Sequence, residues 1–280
     1  MLLWRRLLLR CAASLAICLP VAASAGDELS WGIEPFMPAR HLANAFKVSR
    51  EFLGERSESR IVATTAANYD QFVDALMRGE YDMALVGPHS GTLAMQRAGY
   101  QQLLQCDGAL KALLVVEKNS GYRNPQDLKG LIVALPDHLT VTSMLGAEFF
   151  RPPYTGQPVE VSYKYNDFQN LGPLMALRGE AAAAVIADSA WNMISPQIRS
   201  DLRVMAESKP VPQMMLLIHS RVPAERRARL RNAALEFLRS PQSRANAFVQ
   251  GCAYNEKFLS ADGIRQVAPY AEELKRRLGH

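Results

Sequence analysis

The chain has 280 residues, 32 Lys and Arg against 27 Asp and Glu, a net charge of +5 and 49% hydrophobic residues. That is long enough for one large domain or two small lobes and too apolar for a disordered chain. Three of the positive charges, Arg5, Arg6 and Arg10, precede the apolar stretch of "MLLWRRLLLRCAASLAICLPVAASAG", so without them the charge falls to +2, which gives no reason to invoke nucleic acid.

That opening segment has a basic start, an apolar middle and the small residues Ala23-Ser24-Ala25, the pattern of a cleavable signal peptide. Cleavage is expected after Ala25, making residues 1–25 a leader and the mature protein periplasmic. Ile17 is too large for the residue before a lipoprotein cysteine at Cys18. Cys11 and Cys18 leave with the leader. Cys106 and Cys252 remain, and an even pair in an oxidising compartment can bridge.

Along the mature chain, "LSWGI" (29–33) reads as a strand and "ARHLANAFKVSREFLGE" as a helix with Leu42, Phe46 and Leu53 near one face. "SRIVATTA" is a second strand. Asn68 caps "YDQFVDALMRG". "YDMALVG" is a third strand, running into a loop "GPHSG" and a short helix "TLAMQRAG". A longer strand covers "ALKALLVVEKNSG" and a helical turn covers "NPQDLKG". "LIVALP" is a strand and "TVTSMLGAEFF" a helix. "VEVSYKY", "NDFQNLGPLMALRGE" and "AAAAVIAD" continue as strand, helix, strand. "PQMMLLIHS" is a further strand, before a helix from Pro223 to Ser240.

This alternation predicts an α/β protein with mainly parallel sheets. The long strands at 109–118 and 212–219 flank the second set of units. The expected topology is two lobes joined by two crossing hinge strands: 26–110 with 213–280 as lobe one, 111–212 as lobe two. In open α/β sheets ligands sit beyond the carboxyl ends of the strands. "GPHS" and "TVTS" occupy such ends, one in each lobe. The second places Thr140, Thr142 and Ser143 at a helix start, where unpaired N–H groups and hydroxyls suit an anion. His89 and His138 lack metal-site spacing, and no G-x-S-x-G elbow or activated cysteine motif is present. No metal, no cofactor and no enzyme activity are expected.

The ordered set "GEYDMALVGP", "NSGYRNPQDLKGLIVALPD" and "LTVTSML" resembles the periplasmic phosphate/phosphonate-binding proteins of ABC importers, the PhnD-like group. The resemblance implies the type 2 periplasmic-binding-protein fold, from about Trp31 to the helix near Phe237. It implies a ligand site at Thr140, Thr142 and Ser143, faced by Pro88, His89 and Ser90 from lobe one. The departures are specific. Gly91 stands where the family often has an aromatic, Val141 interrupts the hydroxyl run, and Ala181 and Ala182 stand near an expected acid. Asp188 is the remaining acid candidate at a strand end.

The function expected is a monomeric solute-binding protein. Hinge closure on a small phosphate- or phosphonate-like oxyanion would present it to a membrane ABC permease. The alternative is a periplasmic sensory or adaptor protein on the same scaffold, with a degenerate or different ligand site and a sensor protein as partner; the lost acids leave that reading open.

Overall fold

The structure is a computed structural model that describes residues 28–245, 253–255 and 259–279. The leader and Cys252 therefore lie outside the described residues, and no described helix is long and apolar enough to cross a membrane. In chain order the elements begin β1 (Glu28–Ile33), α1 (Ala39–Ala45), α2 (Lys47–Ser57), β2 (Arg60–Thr64), α3 (Tyr69–Met77), β3 (Met83–Val86), α4 (Pro88–Arg97) and β4 (Tyr100–Asp107). The chain crosses through β5 (Ala109–Leu110) into β6 (Ala112–Glu117), β7 (Ile132–Pro136), α5 (Val141–Glu148), β8 (Ser162–Asn166), α6 (Leu171–Leu177), β9 (Ala183–Ala187), α7 (Asp188–Met193), α8 (Pro196–Ser200) and β10 (Leu202–Glu207). It returns through β11 (Val211–Pro212) to β12 (Met215–His219), α9 (Ala224–Arg239), β13 (Ala253–Asn255) and α10 (Ala261–Arg277).

These strands form a six-stranded sheet in the order β13-β4-β12-β3-β1-β2 and a five-stranded sheet in the order β10-β6-β9-β7-β8. Between them β5 and β11 make a two-residue antiparallel ribbon, Val211 opposite Leu110 and Pro212 opposite Ala109. The sheets are mixed rather than mainly parallel. β1 pairs parallel with β2 and β3, and β7 with β8 and β9, as βαβ crossovers require. The strands adjoining the ribbon run the other way, so β12 is antiparallel to β3 and β4, and β6 to β9 and β10.

One core layer packs α2 and α9 on the first sheet. Trp31 and Phe46 are 0% and 1% exposed and meet edge-on at 5.7 Å, with Phe52 on Phe237 at 5.3 Å beside them. Such aromatic pairs add about 0.5–1.5 kcal/mol beyond their buried area. On the sheet's other face Phe72 of α3 stacks on Tyr81 at 5.3 Å. Tyr81 fills the space a side chain on Gly32 would need: a Cβ there would lie 2.6 Å from the ring. With the ring fixed by Phe72, Gly32→Ala is expected to cost about 1–3 kcal/mol through overpacking, read as a lower urea midpoint at unchanged slope. A midpoint equal to wild type would show that the ring moves freely.

Cys106, 1% exposed in β4, is disulfide-bonded. α10 starts from Ser260, whose hydroxyl caps Gly263 N at 3.0 Å, and lays Val267, Tyr270, Ala271 and Leu274 as a buried stripe in packing that includes α4. It also reaches the residues around the second sheet. Tyr270 donates to Glu148 Oε1 at 2.6 Å, and Arg277 donates to the carbonyl of His138.

Candidate functional site

The stretch read as a loop is helical. Gly87 is the N-cap of α4, Pro88 its first residue, and His89, Ser90 and Gly91 continue the first turn. Proline at the first helical position loses no hydrogen bond, because that N–H would be unpaired anyway. Gly91 serves packing: a Cβ on it would meet Met215 Sδ of β12 at 2.4 Å. α5 begins as expected, with Thr140 as N-cap accepting from Ser143 N at 3.2 Å.

Between these two helix starts lies a cavity of about 120 Å³. It is lined from one side by Glu34, Tyr69, Gly87 and His89, and from the other by Thr140, Val141, Thr142 and Gln169. Its remaining walls are mostly apolar, Phe36, Met37 and Phe46 among them. Among the described residues no Lys or Arg lines it. An apolar groove of about 720 Å³ continues outward between α1 and α7–α8, sharing Met37 and Met193 with the cavity and reaching Val48 and Ile198 at its mouth.

Of the seven residues expected to bind ligand, His89, Thr140 and Thr142 line the cavity. The Thr140 hydroxyl is occupied: it donates to Asp137 O at 2.8 Å while accepting from Ser143 N. Ser143 Oγ donates to Pro136 O at 2.6 Å and ties the helix start to β7. Ser90 Oγ donates to Gly87 O at 3.1 Å and to Glu34 Oε1 at 3.4 Å. Asp188 starts α7 and accepts from Ser189 N at 2.8 Å; its neighbours Ala187, Ser189 and Ala190 face the cavity in its place. Pro88 is buried and shapes the turn. Thr142 remains, 2% exposed, with a hydroxyl that makes no hydrogen bond among the described residues. Beside it the N–H groups of Val141 and Thr142 belong to the first turn and have no acceptor within the helix.

Sequence reasoning missed Glu34. It follows β1 directly, at the same carboxyl end that made "GPHS" a candidate, so the strand-end rule applied to it too. It is 7% exposed and accepts from Gly87 N at 3.1 Å. The partial positive charge at the start of α4 is therefore already facing a carboxyl group of the protein. Burial raises the Glu34 pKa to about 7, opposed by the Gly87 and Ser90 hydrogen bonds and assisted by the charge of Asp137.

His89 is 1% exposed, and its Nε2 lies 2.7 Å from Leu139 O. A carbonyl only accepts, so Nε2 carries the hydrogen and Nδ1 presents a bare lone pair, which has no partner. Burial lowers the ring's pKa to about 4, so it is neutral at ordinary pH. The expected role of His89 as an anion donor is thus corrected: its one hydrogen goes to Leu139 O across the cavity, and its other ring nitrogen can only accept. Outside the cavity Asp70, Asp137 and His138 bring ligand atoms within 4.8 Å of one another, a polar cluster with Asp70 exposed.

A family model described as "ABC transporter, phosphonate, periplasmic substrate-binding protein" matches residues 31–274. No curated protein matches significantly. Among solved structures, PhnD1 from Prochlorococcus marinus in complex with methylphosphonate superposes with TM-score 0.77 at 15% identity, covering 90% of this chain and 99% of that one. A binding protein component of an ABC phosphonate transporter from Pseudomonas aeruginosa gives 0.70 at 15%, covering 90% and 89%. The aliphatic sulphonate binding protein SsuA from Escherichia coli gives 0.61 at 17%, covering 90% and 92%. At these identities the likeness is one of fold, that of type 2 periplasmic binding proteins.

Proposed function

Because the chain belongs to the periplasmic phosphonate substrate-binding protein family of ABC transporters, we propose that the cavity between β7–α5 and β3–α4 is its ligand site and that the ligand is a small phosphonate-like oxyanion. The family implies a small ligand and a membrane ABC permease. The observation that carries the site is the start of α5. Val141 and Thr142, with two N–H groups that lack a helical acceptor and a free Thr142 hydroxyl, line the cavity, an arrangement suited to an anion. Tyr69 adds a phenol from the opposite side.

In this reading residues 26–110 with 213–280 and residues 111–212 act as two lobes, and the β5–β11 ribbon is the hinge. Ligand pulls the α5 start toward the β1 and β3 ends, and the closed form is recognised by the permease. The protein does no covalent chemistry. It acts as a monomer without nucleic acid, and it is exported after cleavage behind Ala25. The bond at Cys106 closes onto Cys252. That cysteine lies outside the described residues, but the register Tyr254↔Cys106 brings the chain two residues beyond it against β4.

Calorimetric titration with methylphosphonate tests the site. Thr142→Ala removes a donor to a charged group and is expected to weaken binding about 10- to 100-fold, with little effect on folding. Ser143→Ala loses the bond to Pro136 O instead, so it should cost about 1 kcal/mol of stability. Its effect on affinity should be smaller than that of Thr142→Ala. Thr142→Ala titrating like wild type would remove the cavity from the binding reaction.

A further inference from the structure

The apolar groove is the outward continuation of the cavity rather than a separate patch, because Phe36, Met37, Gln169, Ala190 and Met193 line both. It is also much the larger, about 720 Å³ against about 120 Å³. Its walls come from both sides of the molecule. Met37 precedes α1 and Val48 lies in α2, while Met193 ends α7 and Ile198 lies in α8. Among the described residues no Asp, Glu, Lys or Arg lines it, and its polar side chains include His41 and Asn44, both exposed. The apolar surface is open to water: Met193 is 57% and Val48 43% exposed.

A substituent on a head group held in the cavity has this groove to run into. An amine or a second acid there would lie among uncharged walls with no charged partner, whereas a hydrocarbon would exchange water for Met, Val and Ile side chains. We propose that the groove is a second subsite, and that the ligand is an oxyanion carrying an uncharged apolar substituent of several carbons, laid between Met37 and Met193 and reaching toward Val48 and Ile198. Met37 and Met193 belong to opposite lobes in the two-lobe reading, so a chain between them adds contact to both and favours closure as well as affinity. Methionine suits the position, because its flexible thioether adapts to chains of different length and branching. The chain also covers an apolar surface that the empty protein leaves in water.

This inference rests on the oxyanion reading above and deepens it by naming what the head group carries. The test is titration calorimetry of the full mature protein at pH 7.5 with methyl-, butyl- and octylphosphonate, each below its micelle concentration. Each methylene moved from water into the groove is expected to tighten binding about two- to fourfold, so octylphosphonate should bind at least about 100-fold more tightly than methylphosphonate. Val48→Glu sets a charge at the mouth of the groove on an exposed helix position, and the ratio of octyl to methyl affinities should fall about tenfold or more. Octylphosphonate binding no more tightly than methylphosphonate would overturn the inference and leave the oxyanion reading intact. Binding of none of the three would overturn both. A ratio that Val48→Glu leaves unchanged would put the chain elsewhere and overturn the subsite. So would a dimer of the ligand-free protein in sedimentation velocity that Val48→Glu dissociates, because the groove would then belong to a second copy of the chain. Should Val48→Glu not fold, the heat-capacity change of binding to wild type supplies the second readout. It should grow more negative from methyl to octyl as apolar surface is buried, and equal values across the series would overturn the inference.

Discussion

Glu34→Gln should stabilise the protein increasingly as pH rises, from little at pH 4.5 to about 3.5 kcal/mol at pH 8. The unfolded chain ionises this carboxyl near its ordinary value of 4.5, whereas the folded protein holds the proton to about 7. Folding therefore takes up a proton between those values, and stability falls as pH rises through the window. Two and a half pH units at about 1.4 kcal/mol each give the figure. His89 works in the opposite sense. Its folded value of about 4 lies below the ordinary 6.5, so its contribution is present above 6.5 and lost as pH falls to 4. Between pH 4.5 and 6.5 the two slopes cancel. Taken alone, the pair gives wild type a flat profile there, whereas the glutamine variant keeps only the histidine slope and gains stability up to pH 6.5. Urea unfolding across pH 4–8 measures both. Parallel profiles would mean that Glu34 is solvated and ionised in the native protein.

Removing the disulfide should have an effect of the same size or larger. A bond from Cys106 to Cys252 encloses most of the chain, including the whole second sheet and the ribbon. Loops of this length restrict the unfolded chain by about 4–5 kcal/mol in the entropy model, and measured losses for native bonds run about 2–5 kcal/mol. Cys106→Ala with Cys252→Ala is expected to lower unfolding stability by that amount. Alkylation of denatured, unreduced wild type should label neither cysteine. Recovery of a peptide carrying labelled Cys252 would show that Cys106 has another partner.

The fold was largely legible because its signals are local. Asn68 caps α3 by accepting from Gln71 N at 2.9 Å, and Pro223 directly precedes α9, as their types predict. β4 was missed because Gln101, Gln102 and Gln105 break its apolar pattern. Gln102 and Gln105 are nevertheless buried, with Gln105 Nε2 on Gln213 O at 3.0 Å and Gln102 Oε1 accepting from Leu259 N at 3.0 Å. Their partners lie more than 100 residues away, so no window along the chain could have paired them. α10 was missed although its apolar stripe is helical in period.

The site was less legible for a related reason. Residue type announces that a hydroxyl or imidazole can donate, but not which bond it has already made. The Thr140 hydroxyl is spent within its own turn, Ser143 on Pro136 O and Ser90 on Gly87 O and Glu34, and His89 is turned into an acceptor by one distant carbonyl. The family resemblance pointed to the α5 start, whose Thr140 and Thr142 line the cavity, while Glu34 on the same cavity wall has no counterpart in the motif residues that carried it.

On the proposed two-lobe reading, the placement of α10 would constrain the hinge. It is anchored along α4, yet holds Glu148 and the His138 carbonyl near the second sheet, and no α10 residue lines the cavity or the groove. Rotation about the β5–β11 ribbon that keeps these bonds must pivot beside α10, as a book opens from its spine. Displacement then grows with distance from that helix and is greatest across the groove between Val48 and Ile198. On the proposed reading, a ligand would enter and leave past Met37 and Met193, which line both the groove and the cavity, and its charged head would be stripped of water before it reached the donors that replace it.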